Sequence, residues 1–273
     1  MSGTGTRRTV FGVLAGIFAV AVFGGLFGFS LFTGWFSNED GGIHRVHYLG
    51  FGILFGALLT PAAAALVRRP EGRPSAFLQV VAVAVAGVVG AAVSADGNYL
   101  VIGLIVAVIA AILLVVHPSR ASVLHPAADP SPVLGTVAAV GAIPLVWFGL
   151  TMARLQRDGV PTDPHVKGDH WANMAAMAFG LALVGLLAAM RFRGWRMTAW
   201  CAGLGVAVYG LASMVFARFP GTEVPYLGSE GVAWGLVAVI GGLAFVAAAE
   251  GEARRSPRPI DPDALRVEVA TSA

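Results

Sequence analysis

Two short stretches gather histidine and carboxylate in a chain otherwise poor in both. The first carries Glu39, Asp40, His44 and His47. The second carries Asp158, Asp163, His165, Asp169 and His170. Four of the six histidines fall in these two segments. His44 and His47 are three residues apart, so a helix beginning near Gly42 projects both from one side. Neutral imidazole with carboxylate suits Zn²⁺, Cu²⁺ or Fe²⁺. If the two stretches meet, His44, His47, His165, His170, Asp163 and Asp169 are candidate ligands of a transition metal. A softer set overlaps it. His170, Met174 and Met177 stand at i, i+4 and i+7 beside Asn173. Such a set fits Cu(I) or an axial haem position, although Met at this spacing is also ordinary core filling. His47 and His170 could form a haem pair, which makes haem the second cofactor expectation after a transition metal.

Other chemistry finds less support. No HExxH or comparable compact motif is present. Ser94 and Ser229 lie near acids, but no nucleophile–base pair is specified. The single cysteine, Cys201, excludes an intrachain disulfide and any CxxC site. The reading therefore leans away from an enzyme. His117 and His125 lack a partner motif and read as solvated linker residues. Ile43-His44-Arg45-Val46 resembles the His-Arg pattern of haem A synthase, an eight-span duplicated protein. The resemblance covers these few residues only. The histidines it would require in the fourth and eighth spans are absent: the fourth has only His117 at its inner end, and the eighth has none. The chain is not assigned to that family.

The elements that must position these residues are apolar. Hydrophobic residues make up 57% of the 273-residue chain, charged residues 12%, and mean hydropathy is +0.78. A soluble domain carries about 25% charge, and a chain this apolar cannot cover its surface with polar groups. In lipid each backbone amide must be satisfied within its own segment, which selects helices. Eight stretches have bilayer-crossing length: 9–33, 46–67, 76–95, 99–117, 133–153, 172–192, 197–217 and 229–249. Arg7, Arg8, Arg68, Arg69, Arg73, Arg120, Arg191, Arg193, Arg196, Arg254, Arg255, Arg258 and Arg266 fall on one side. Only Arg45, Arg154, Arg157, Lys167 and Arg218 fall on the other. The positive-inside rule then puts both termini in the cytoplasm and both histidine stretches outside. The expected partner is the lipid bilayer, in the plasma membrane. The net charge of +3 follows from this asymmetry and gives no reason to expect nucleic acid. Thr6-Arg7-Arg8 loosely resembles a twin-arginine export signal, but the apolar run behind it is too long for one.

The fourth and eighth spans share a pattern, Gly103-Leu104 with Val106–Ala111 and Gly235-Leu236 with Val237–Gly242. Phe51–Gly56 and Phe179–Val184 match loosely, each behind a His-aromatic pair, His47-Tyr48 and His170-Trp171. The fold expected is an all-α integral membrane protein of eight transmembrane helices, built as two parallel four-helix repeats with both termini inside. Its parts are 1–117, a cytoplasmic linker 118–132, 133–250, and a disordered cytoplasmic tail 251–273. Gly12/Gly16, Gly24/Gly28 and Gly52/Gly56 are small-xxx-small pairs for helix packing. Pro61 and Pro144 should kink their spans, and Trp35, Trp171 and Trp200 sit where interfacial anchors do. Seventeen arginines against one lysine, with the Ala/Gly/Val richness, suggest a high-GC bacterial source.

The span middles hold almost no ionisable groups, which argues against a proton- or ion-coupled pump. The favoured function is a small-solute or metal-linked membrane protein working at its outer face. A scaffold or subunit beside a membrane-protein partner is the alternative. A carrier for an apolar or lipid-like solute also tolerates an uncharged interior.

Overall fold

The computed structural model describes residues 3–37, 44–217 and 231–255, all helix, turn and connecting coil without strand. Eight of its helices are long and apolar enough to cross a bilayer: Gly5–Thr33, Arg45–Arg68, Pro74–Ser94, Gly97–Val116, Pro132–Asp158, His170–Ala189, Trp195–Val215 and Gly231–Arg255. The chain is a multi-pass membrane protein. Its ends differ from the sequence expectation by up to six residues. The fifth helix runs on to Asp158, and the eighth to Arg255, past the expected start of the tail. A one-turn helix, Arg120–Leu124, stands within the expected linker.

Burial sorts the spans. The sixth is the most enclosed, with 83% of its apolar window buried, and the second follows at 67%. The first, fourth, fifth and eighth bury about a third or less and turn Val13, Ile17, Val20, Val108, Ile143 and Val237 outward. Such apolar outer faces are what acyl chains solvate. The second and sixth helices touch each other at the centre. Around them the first packs on the second and the fifth on the sixth; the third packs on the fourth and the seventh on the eighth. The third also meets the sixth, the second meets the seventh, the first meets the fourth, and the fifth meets the eighth.

The second span is not a uniform α-helix. Residues Gly52–Leu59 form a π-helix between the α-helical segments Arg45–Phe51 and Thr60–Arg68. Pro61 has no N–H and cannot continue regular hydrogen bonding. The chain widens the turns before it, with Thr60 Oγ1 donating to the Phe55 carbonyl at 2.7 Å. The Leu58 carbonyl accepts from Gln79 Nε2, also at 2.7 Å. The expected kink at Pro61 thus takes the form of a π segment.

The first span is broken opposite that segment. Its long helix ends at Gly25, Phe27 takes a positive φ of 61°, and a short helix follows at Ser30–Thr33. A Cβ on Gly52 would collide with the Leu31 amide, and one on Gly56 with the Gly28 carbonyl. Both glycines admit the broken backbone of the first span directly against the second. Of the paired glycines expected to pack, Gly24 meets nothing.

His117, expected in solvent, is fully buried at the arginine-bearing end. Its ring meets Phe11 edge-on at 4.8 Å, and its Nδ1 accepts from the Ser119 amide at 3.1 Å. His125 is exposed, as expected. Burial pushes the His117 ring below its ordinary value, against smaller opposing effects of the Ser119 amide and Glu71. A base depressed in the folded state contributes stability that is present above pH about 6.5 and lost as pH falls through the folded value. Between pH 7 and pH 5 the wild type is expected to lose more thermal stability than His117→Asn. Parallel melting curves of the two would contradict this.

Candidate functional site

At the opposite end, the first turn of the second span and the start of the sixth bring the histidines together. His44 occupies the N-cap position of the second span, its carbonyl accepting from the Tyr48 amide at 2.9 Å. His47 follows on the same face. His165 sits on the short helix Pro164–Lys167, and His170 opens the sixth span. The four ring centroids lie 4.5 to 6.2 Å apart in every pairing. All four side chains are buried, His47 completely.

The surroundings fix the rings. Trp171 stacks on His165 at 5.0 Å and meets His47 edge-on at 4.7 Å. It caps the cluster and is buried, where an interfacial anchor was expected. Gly168 lets His170 fold back over the preceding turn, since a Cβ there would stand 3.0 Å from His170 Nε2. Asp163 caps the short helix. Its Oδ1 accepts from both the amide and Nδ1 of His165, each at 2.9 Å. Burial pushes the Asp163 carboxyl up, but these two bonds and the nearby imidazoles outweigh it and hold the group below its ordinary value. A carboxylate can only accept, so Nδ1 of His165 is the donor in this pair. Among the described residues, His165 Nε2, His170 Nδ1 and both nitrogens of His47 are buried without a hydrogen-bond partner.

Asp169 behaves differently from expectation. It takes φ 54° just before the sixth span and hydrogen-bonds with Asp96 and Asn98, not with the imidazoles. Burial first, then the charge of Asp96 and the hydrogen bond to it, pushes Asp169 up to about 6, with Asn98 opposing.

Asp96 is also the hub of a buried network that sequence reading missed. Its Oδ1 caps the fourth span through the Tyr99 amide at 2.8 Å, and its Oδ2 accepts from Gln156 Nε2 at 2.9 Å. Gln156 further donates to the Val166 carbonyl and accepts from the Ala172 amide. Tyr99 donates to Asn173 Oδ1 at 3.0 Å. The fourth, fifth and sixth spans are thereby tied to the short helix that carries His165. A glutamine among the charged residues of the last turn of the fifth helix was the available signal.

No protein-family model, curated protein or solved structure matches this chain. The site stands on its own geometry. As the side chains are oriented, no group of three or more His, Cys, Asp or Glu among the described residues is arranged to hold an ion. His47 and His170 lie nearly parallel, 14° apart at 5.2 Å. Met174 and Met177 are buried core residues, and the Met174 sulfur packs against Gly50. Glu39 and Asp40 lie outside the described residues, as do Arg218, Glu223, Ser229 and Glu230.

Proposed function

We propose that this protein binds one divalent transition-metal ion, zinc being the first choice, with His44, His47, His165 and His170 as ligands. The observation that carries this reading is His47, which is wholly buried with both ring nitrogens unpartnered beside three other imidazoles. An unsatisfied buried donor or acceptor costs about 1–3 kcal/mol, and a bound cation would remove that cost at the one ring nitrogen it engages. Four imidazoles around one ion at Zn–N of about 2.0–2.1 Å would hold their centroids about 5 Å apart, inside the observed range. Reaching that state requires rotation about Cβ–Cγ, a broad and soft torsion for imidazole. Asp163 then acts as the outer carboxylate that orients His165. Asp169 is left to its hydrogen bond with Asp96.

Two ligands would come from the second span and two from the sixth and the short helix before it. A metal would tie the two central helices together at one end. Four protein nitrogens close the coordination sphere, which favours a structural, sensing or transfer role over hydrolysis by metal-bound water. The pair of rings in direct contact leaves no plate-shaped gap between them, so haem fits poorly.

The finer architecture belongs to the same proposal. The chain sits in the cell membrane as two parallel four-span repeats with both termini cytoplasmic. Its support is the arginine distribution and the packing pattern. Exchanging the halves maps most helix pairs onto one another; contact between third and fifth spans lacks a counterpart.

The test is metal titration of the detergent-purified chain. Zinc is expected to bind at about one ion per chain and to raise the melting temperature, by the mass action that gives about 2.7 kcal/mol at 100 times Kd. Cobalt in its place is expected to show the visible absorption of a tetrahedral site. Absence of stoichiometric binding by either ion defeats the proposal.

A further inference from the structure

We propose that the arginine-bearing end holds the phosphate headgroup of an anionic phospholipid. The place is a cleft of about 580 Å³ between the loop joining the second and third spans and the loop joining the sixth and seventh. Its walls carry Arg69, Arg73, Arg193, Arg196, Met197 and Trp200. One guanidinium is already engaged: Arg196 makes two bonds to Glu250, at 2.6 and 2.5 Å. Arg69, Arg73 and Arg193 make no ion pair among the described residues. Glu71 is the only acid in either loop. Three guanidiniums lining one cleft, with no carboxylate in its lining, are a matched set for a phosphodiester, which the planar fork binds bidentately.

The loops are held in place without the ligand. Ser75 donates its amide to the Arg193 carbonyl at 3.3 Å, and its hydroxyl pairs with Thr198 at 2.7 Å. Gly194 adopts φ 89°, which turns the chain tightly beside Arg73. The Arg193 guanidinium lies over Gly72, 3.8 Å from where a Cβ would stand.

Depth in the bilayer selects a lipid over a soluble phosphate. The apolar helices end at Arg68 and Ala189 and resume at Pro74 and Trp195, so the cleft lies at headgroup level. Met197 and Trp200 extend one wall toward the apolar layer, and Trp200 is 40% exposed. Its indole N–H is fixed by Glu250 at 2.6 Å, leaving the ring face for an acyl chain. Basic pockets between spans on the cytoplasmic side are suited to anionic headgroups. The inference is independent of the histidine cluster at the far end.

The experiment is thermal unfolding of the full chain in detergent, with phosphatidylglycerol, phosphatidylcholine or inorganic phosphate added. Wild type is compared with Arg73→Gln/Arg193→Gln. Phosphatidylglycerol is expected to raise the wild-type melting temperature by roughly 2–4 °C and that of the variant by less than half as much. Phosphatidylcholine and inorganic phosphate are expected to leave both unchanged. An equal gain in the variant, or an equal gain from phosphatidylcholine, overturns the site. A gain from inorganic phosphate matching that from phosphatidylglycerol overturns the lipid as occupant. Should the double variant not fold, Arg69→Gln and Arg193→Gln are each expected to lose part of the gain, and a full gain in both is the overturning result.

Discussion

Alanine at His47 and His170 together is expected to weaken zinc binding by more than about 100-fold. Loss of an outer-sphere partner alone costs roughly 10–100-fold, and this variant removes two direct ligands, one from each central helix. Removing two buried rings opens a cavity that costs several kcal/mol with or without metal, so the metal-free variant should melt below the metal-free wild type. Excess zinc should raise the melting temperature of the wild type and leave that of the variant unchanged, whereas a histidine cluster kept purely for packing predicts no zinc effect on either. His125→Ala, exposed at the other end, serves as the control and should match wild type in both measurements. If the double variant retains wild-type affinity for zinc, the four-histidine reading is wrong.

Gly52→Ala is expected to destabilise the chain by about 3 kcal/mol or more, an effect at the upper end for adding one methyl group to a packed core. The added Cβ would meet backbone of the first span at Leu31 and Ser30, and backbone cannot swing aside as a side chain does. The first span is already irregular there, with its amides committed to unusual partners such as Phe29 N–H to the Phe23 carbonyl at 2.8 Å. Moving it would expose those groups to lipid. Gly141→Ala is the matched comparison. It lies in the fifth span with nothing within 4 Å of its would-be Cβ, and the change should be neutral or mildly stabilising because alanine favours helix by about 1 kcal/mol. Equal yields and melting temperatures for the two variants would refute the close approach.

The eight spans were legible because length and apolar composition carry that signal without help from packing. Their ends were less so: the fifth and eighth helices continue through Arg154, Arg157, Glu250 and Glu252, charged residues that a hydropathy reading discards. The grouping of His44, His47, His165 and His170 was readable from residue type and from the three-residue spacing at the start of the second span. The division of labour among the acids was not. Asp163 and Asp169 each stand just before a histidine in sequence, yet a helix cap claims one and Asp96, from a distant loop, claims the other. Nothing local predicts that choice. Trp171 and His117 were misplaced for a related reason. Aromatic and imidazole side chains near a span end are equally at home facing headgroups or facing inward, and only the neighbouring helices decide.

The π segment in the second span also acts as a phase adjuster. Each α-helical residue advances about 100° around the axis, and a π turn advances less per residue. The stretch before Gly52 and the stretch after Leu59 are therefore angularly offset from what a continuous helix would give. His44 and His47 at one end and Leu66 at the other can each point at their own neighbours only because eight residues between them are wound differently. The direction in which the histidines face is thus written partly in glycines and a proline well below them.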